Sequence, residues 1–198
     1  MCGIAGYFGQ GSREELEKMT NILEHRGPDS FGFFVNDKIG FGHRRLSIID
    51  LSNVANQPME DDKAIIVFNG EIYNFQDIKE EGLKDGYKFK SQSDTEVILY
   101  LYGKYGAGCF EKLNGMFAIA IFDKEKNNII LSRDRLGKKP LYWSVNGSTL
   151  FFASELKGLM PHHLFKKEID FLSFNKYLTF DYIPTPNTVF KNVYKLEP

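Results

Sequence analysis

No apolar run in this 198-residue chain is longer than the seven residues from Met116 to Phe122. That limit decides much of what the chain can become. A membrane-crossing helix needs about 18 or more consecutive apolar residues, so none is encoded here and no membrane partner is expected. Short apolar stretches bounded by turn residues read instead as strands. They recur at 4–8, 32–35, 39–49, 64–68, 116–122, 128–132, 141–145 and 149–153. Aromatic residues reach 15%, with 18 Phe and 10 Tyr, which favours a core built from sheets. Helical spacing is confined to 13–23, 75–83 and 94–105; in the last, Val97, Leu101 and either Ile98 or Tyr105 share a face. Ser93-Asp94-Thr95-Glu96 carries the capping-box pattern that starts a helix. Many strands with few helices predict an α+β fold.

The length suits one well-buried domain. With 42% hydrophobic and 26% charged residues, disorder, collagen-like repeats and a coiled coil are poor fits. Lys and Arg number 25 against 26 Asp and Glu, a net charge of -1, and the densest basic group is only His43-Arg44-Arg45. Nucleic acid is therefore not expected as a partner. The start of the chain lacks a basic region followed by an apolar segment and cleavage site, so no secretory signal is visible and a cytoplasmic location is expected. Four of the seven prolines, Pro161, Pro184, Pro186 and Pro198, fall in the last 38 residues around a short apolar helix candidate at 170–178. This shift predicts a domain over 1–160 and an appendage over 161–198.

Only two cysteines occur, Cys2 and Cys109, without metal-ligand spacing, so neither a disulfide framework nor a metal site is expected. His162 and His163 follow a proline with no companion ligands and are read as surface residues. Cys109, after Gly106-Ala107-Gly108, is read as a packing residue. Cys2 could also be a small buried hydrophobe. Its position gives it a second use: once Met1 is removed, it carries a thiol and a free α-amine, whose pKa of about 7.7–8.0 suits a general base. Nucleophile and base would then share one residue.

Met1-Cys2-Gly3-Ile4-Ala5-Gly6 is followed in order by His25-Arg26-Gly27-Pro28-Asp29-Ser30, His43-Arg44-Arg45-Leu46-Ser47-Ile48, Asn69-Gly70-Glu71-Ile72-Tyr73-Asn74 and Ser93-Asp94-Thr95-Glu96. This succession resembles the class II glutamine amidotransferases, most closely the N-terminal glutaminase domain of asparagine synthetases. Arg133 to Tyr142 and Phe152 to Lys157 extend the likeness over nearly the whole chain. The resemblance implies an N-terminal nucleophile hydrolase fold, a four-layer αββα sandwich. It also implies hydrolysis of L-glutamine to glutamate and ammonia through a Cys2 thioester.

Asn-Gly between extended segments is by itself a strong hairpin-turn signal. The resemblance makes Asn69 and Gly70 the oxyanion hole instead, with the Asn69 amide and the Gly70 N–H aimed at one oxygen. Arg44 and Arg45 lie in a strand, where neighbours point to opposite faces, so only one can face a given pocket. The motif selects Arg45 for the α-carboxylate of glutamine, a task suited to a guanidinium fork. Ile48 contributes a backbone contact. Asp94, well placed for a helix N-terminus in any case, becomes the partner of the α-ammonium, assisted by the backbone of Glu71. His25 is read as ordering its loop rather than as a base.

The resemblance implies no cofactor in this domain; ATP and Mg belong to a synthetase domain whose Ser-Gly-Gly-x-Asp-Ser loop is absent from this sequence. That acceptor domain is expected as a partner in cis or trans, with the 161–198 segment resembling the connector to it. A homodimer stays open. So do a glutamine-binding or assembly module with little turnover, a chain that keeps Met1, and the amidotransferase half of a surface-sugar enzyme.

Overall fold

The apolar stretches pair into two antiparallel sheets in a computed structural model that describes residues 1–198. The strands are β1 (Gly3–Phe8), β2 (Ser30–Val35), β3 (Ile39–Arg45), β4 (Met59–Glu60), β5 (Ala64–Ile72), β6 (Gly115–Asp123), β7 (Asn128–Arg133), β8 (Tyr142–Asn146), β9 (Thr149–Ala153) and β10 (Val193–Lys195). The helices are α1 (Arg13–Asn21), α2 (Phe75–Lys84), α3 (Asp94–Tyr105), α4 (Leu156–Leu159) and α5 (Phe171–Phe180). One sheet runs β10-β8-β9-β1-β3-β2 and the other β4-β5-β6-β7.

Strand alternation sends neighbouring side chains into different layers. From β5 and β6, Ile65, Val67, Ala118, Ala120 and Phe122 meet Ile4, Phe41 and Phe152 of the six-stranded sheet. Their neighbours Ile66, Phe68, Phe117, Ile119 and Ile121 pack against α3. On the far side, Leu16, Met19 and Leu23 cover Ala5, Tyr7, Phe151 and Ala153. The order is helix, sheet, sheet, helix. Because β6 is buried on both faces, its run from Met116 to Phe122 is unbroken rather than alternating.

Several boundaries differ from the sequence expectations. The strand expected over 39–49 stops at Arg45, because the following loop folds around the Arg45 side chain. The strand expected over 64–68 runs on to Ile72, so Asn69-Gly70 is no hairpin turn; Asn69 pairs with Ala118 and Gly70 with Phe117. Gly70 is required there, since a Cβ would strike the Met116 carbonyl and come within 2.6 Å of the Phe68 ring. The reciprocal capping box forms at Ser12 and Glu15. At α3, Ser93 accepts from the Thr95 N–H, while Glu96 turns back to accept from Lys90 and Ser91.

The segment expected as an appendage is joined to the same body. β10 extends the six-stranded sheet by pairing with β8, and Phe190 and Val193 enter the core beneath α1. His162, expected at the surface, is 2% exposed and stacks on Phe151 at 4.5 Å between centroids. Its Nδ1 receives the Leu164 N–H and its Nε2 meets the Gln10 carbonyl, so the ring serves packing. His163 is at the surface, against Glu15 at 2.6 Å.

Candidate functional site

Cys2 immediately precedes β1, whose neighbours β3 and β9 fix it from both sides. Ile4 donates to Ser154 Oγ at 3.0 Å and accepts from the Ser154 N–H at 2.8 Å. The Arg26 Nε donates to the Cys2 carbonyl at 2.9 Å, and Arg26 is itself tied to Glu155 at 2.9 Å. His25 meets the same carboxylate at 3.0 Å, which agrees with a loop-ordering role. The thiol lies 3.7 Å from the Leu46 carbonyl and receives the Leu46 N–H at 3.4 Å. Burial pushes it above the ordinary cysteine range, against the Leu46 contact, the chain terminus and Arg45.

β5 supplies the facing wall. β4 pairs only with Ile65 and Ile66, so beyond them one edge of β5 is open. The N–H groups of Phe68 and Ile72 leave on that edge, to Gln57 Oε1 at 2.6 Å and Asp94 Oδ2 at 3.1 Å. Alternation turns the Gly70 N–H between them the same way, into the cavity that Gly70 lines. The Asn69 side chain shares the inward face of Ile65 and Val67; it is 1% exposed, and its Nδ2 has no hydrogen-bond partner. An unpartnered buried donor is costly, and this one lines the cavity that Cys2 also lines.

The two neighbouring arginines separate as strand geometry requires. Arg44 points outward to Asn21 Oδ1 at 2.5 Å and stacks over Phe31. Arg45 points inward and holds the 49–56 loop through the Ser52 carbonyl at 3.0 Å, Asn56 Oδ1 at 2.8 Å and the Ile49 and Asp50 carbonyls. Ile48 lies just before that loop with its side chain largely exposed. Asp94 opens α3 and is 6% exposed; burial raises its carboxyl to about 6, with the nearby Glu71 pushing the same way. Cys2, Arg45, Ile48, Asn69, Gly70, Glu71 and Asp94, the residues singled out in the sequence, all line one cavity of about 140 Å³. That is small beside the roughly 300–1,000 Å³ of sites for drug-sized ligands, and on the scale of an amino acid.

Sequence reasoning missed four contributors. Arg26, next to His25, grips the carbonyl of Cys2. His43 lies in the same wall, 1% exposed with both ring nitrogens unpartnered; burial, then Arg45, hold its pKa at about 3, so the ring is neutral. Gln57 bridges β5 and α3 through the Phe68 N–H and Thr95 Oγ1. Lys139 reaches the cavity from a loop far along the chain. Strand parity could have paired His43 with Arg45; nothing local announces Gln57 or Lys139.

An inter-sheet cavity at the residue just before a central strand defines the class: an α+β N-terminal nucleophile hydrolase fold. Glutamine phosphoribosylpyrophosphate amidotransferase from Bacillus subtilis shares this fold at a TM-score of 0.70 and 22% identity, over 80% of this chain and 43% of that one. The family profile described as a glutamine amidotransferase domain matches residues 1–198, and the chain belongs to that family. It is 43% identical over 222 residues to "Putative asparagine synthetase [glutamine-hydrolyzing] 2" of Methanocaldococcus jannaschii, covering 100% of this chain and 42% of the relative. To "Asparagine synthetase [glutamine-hydrolyzing] 1" of Bacillus subtilis it is 42% identical over 207 residues, covering 100% of this chain and 32% of the relative. The chain therefore spans less than half the length of these relatives.

Proposed function

We propose that this domain hydrolyses L-glutamine to L-glutamate and ammonia, with Cys2 as nucleophile. Removal of Met1 exposes the Cys2 α-amine, which takes the thiol proton as sulfur attacks the side-chain amide carbon. The Asn69 Nδ2 and Gly70 N–H receive the oxyanion. The amine passes its proton to the departing nitrogen, ammonia leaves, and a γ-glutamyl thioester remains. Water, deprotonated by the same amine, attacks the thioester to release glutamate and restore the thiol. Asp94 receives the substrate ammonium, helped by the backbone of Glu71. Arg45 supplies positive charge for the carboxylate and shapes the wall that carries Ile48. Two charges recognised together select the free amino acid over a glutamine within a protein.

The observation that carries this reading is the buried, unpartnered Asn69 Nδ2 in the cavity of the Cys2 thiol. Its test is ammonia release from glutamine paired with intact-mass measurement. Release is expected only from chains lacking Met1 and is abolished in Cys2→Ala. Glutamine binding without release from the processed chain overturns the catalytic reading and leaves a binding module.

The names of the relatives support a further step, in which ammonia passes to an ATP-dependent domain that makes asparagine. That domain, in cis or trans, would hold the ATP and Mg. The reading frame beyond Pro198 tests the cis arrangement directly.

A further inference from the structure

One charge in the cavity wall is left without a role by the proposed reaction. Lys139 is 5% exposed, yet its ammonium has no carboxylate within ion-pair distance, and its side-chain hydrogen bond goes to the Met1 sulfur at 3.1 Å. A thioether is a weak acceptor, and buried lysines are ordinarily paired.

The loop delivers this residue deliberately. Asp134, 1% exposed, accepts backbone N–H groups from Phe117, Leu136, Lys138 and Lys139 at 2.9–3.2 Å. Burial alone would raise its carboxyl; these donors outweigh that and hold it below the usual range. Arg133 Nε ties down the Lys139 carbonyl at 2.7 Å, and Gly137 takes the left-handed φ of +61° that the tight turn needs. The lysine stem is thus rooted in a rigid turn while its ammonium stays free of local partners.

Charged groups crowd this end of the chain from every packed element. Arg26 from the 24–26 turn, Asp29 from the following loop and Lys139 from the β7–β8 connection act on the chain terminus; Arg45 from β3 and Asp94 from α3 act on the Cys2 thiol, and Glu71 from β5 acts on Lys139. Arg26 is ion-paired to Glu155; Lys139 has no such pair, and Glu71 and Asp134 act on it only from beyond ion-pair distance. Burial, followed by Arg26 and Lys139, lowers the terminal amine even with Met1 in place, against Cys2 and Asp29.

Resting on the glutaminase reading, we propose that Lys139 is a positioning residue that keeps the Cys2 α-amine in its neutral, proton-accepting form. Removal of Met1 takes away the thioether against which the ammonium lies and leaves that charge in the cavity that Cys2 also lines. A cation there opposes protonation of the amine and favours the thiolate over the thiol, offsetting the burial that makes Cys2 a weaker acid. One free positive charge in a shared, partly desolvated cavity moves a neighbouring pKa by about one unit.

The test compares processed wild-type chain with Lys139→Met, Lys139→Gln and Lys139→Arg. In the Met and Gln variants the acidic limb of kcat/KM moves up by about one pH unit, so kcat/KM at pH values below the wild-type midpoint falls by up to about tenfold, while Lys139→Arg keeps the wild-type limb. The pH dependence of Cys2 alkylation by iodoacetamide, read by intact mass, moves the same way and needs no turnover. Unshifted limbs and alkylation profiles in both neutral variants overturn the proposal, as does an arginine variant that behaves like the methionine one. Loss of ammonia release from every processed chain, wild type included, would sink the glutaminase reading instead. The alkylation profiles would still decide the role of Lys139.

Discussion

The molecule holds two free thiols in opposite settings, one partly buried and one fully. Cys109, in the short 3-10 turn after α3, is fully enclosed among Leu101, Leu113 and their neighbours, and burial pushes its thiol up to about 12. Cys2 is also raised by burial, but it sits at the seam between the sheets. There the Leu46 N–H, Arg45 and Lys139 approach it, and the Asn69 Nδ2 and both His43 nitrogens lack partners. Burial alone makes a thiol inert. What separates the seam from the helical core is that its polar atoms are held in place and left unsatisfied.

That contrast can be broken most directly at Asn69. Asn69→Ala is expected to cut kcat by about 100-fold to 1,000-fold, the usual cost of one oxyanion donor, with little loss of Tm because the removed donor has no partner to strand. Steady-state ammonia release and a thermal melt measure the two together. A kcat within tenfold of wild type would mean that the seam is polar without being catalytic.

A smaller effect is expected at Asp94. Its carboxyl, raised from 3.8 to about 6 by burial, must be ionised to receive the substrate ammonium. KM for glutamine should therefore climb as pH falls through about 6, with kcat at saturation less affected. The folded chain holds this proton more tightly than the unfolded chain, so the group's contribution to stability is full below pH 3.8 and is lost as pH rises through 6. Asp94→Asn should accordingly raise Tm at pH 8 while raising KM. Full KM–pH profiles and melts of both forms check the pair.

The smallest effect belongs to the other thiol. Cys109→Ala removes a buried sulfur and should cost about 1–2 kcal/mol in denaturant unfolding with kcat unchanged. A loss of turnover without a loss of stability would erase the distinction between the two regions.

Much of this is legible in the sequence, for local reasons. The strands at 4–8, 128–132 and 149–153 and the helix at 94–105 follow from short-range spacing, which depends on neighbours along the chain. Strand parity separated Arg45 from Arg44 in the same way. The Asn69-Gly70 pair was ambiguous because its turn preference is local while its place in β5 is fixed by pairing with β6. The proline-rich segment after 160 looked detached because composition does not show that Val193 reaches the sheet by pairing with Ser144. His162 looked exposed because nothing nearby in the chain foretells Phe151.

Periodicity by itself determined the α+β class and most element positions, while the resemblance carried by ordered motifs implied the layers of the sandwich, the family and the residues that crowd one cavity, since motifs and periodicity are properties of contiguous residues. Only the tertiary structure decided that the Asn69 Nδ2 has no partner, that Arg26 grips the carbonyl of Cys2, and that Lys139 brings an unpaired charge to Met1 across 138 residues of chain. Those properties depend on which atoms are missing from a neighbourhood as much as on which are present. A neighbourhood assembled from distant segments exists only once the sheets have stacked.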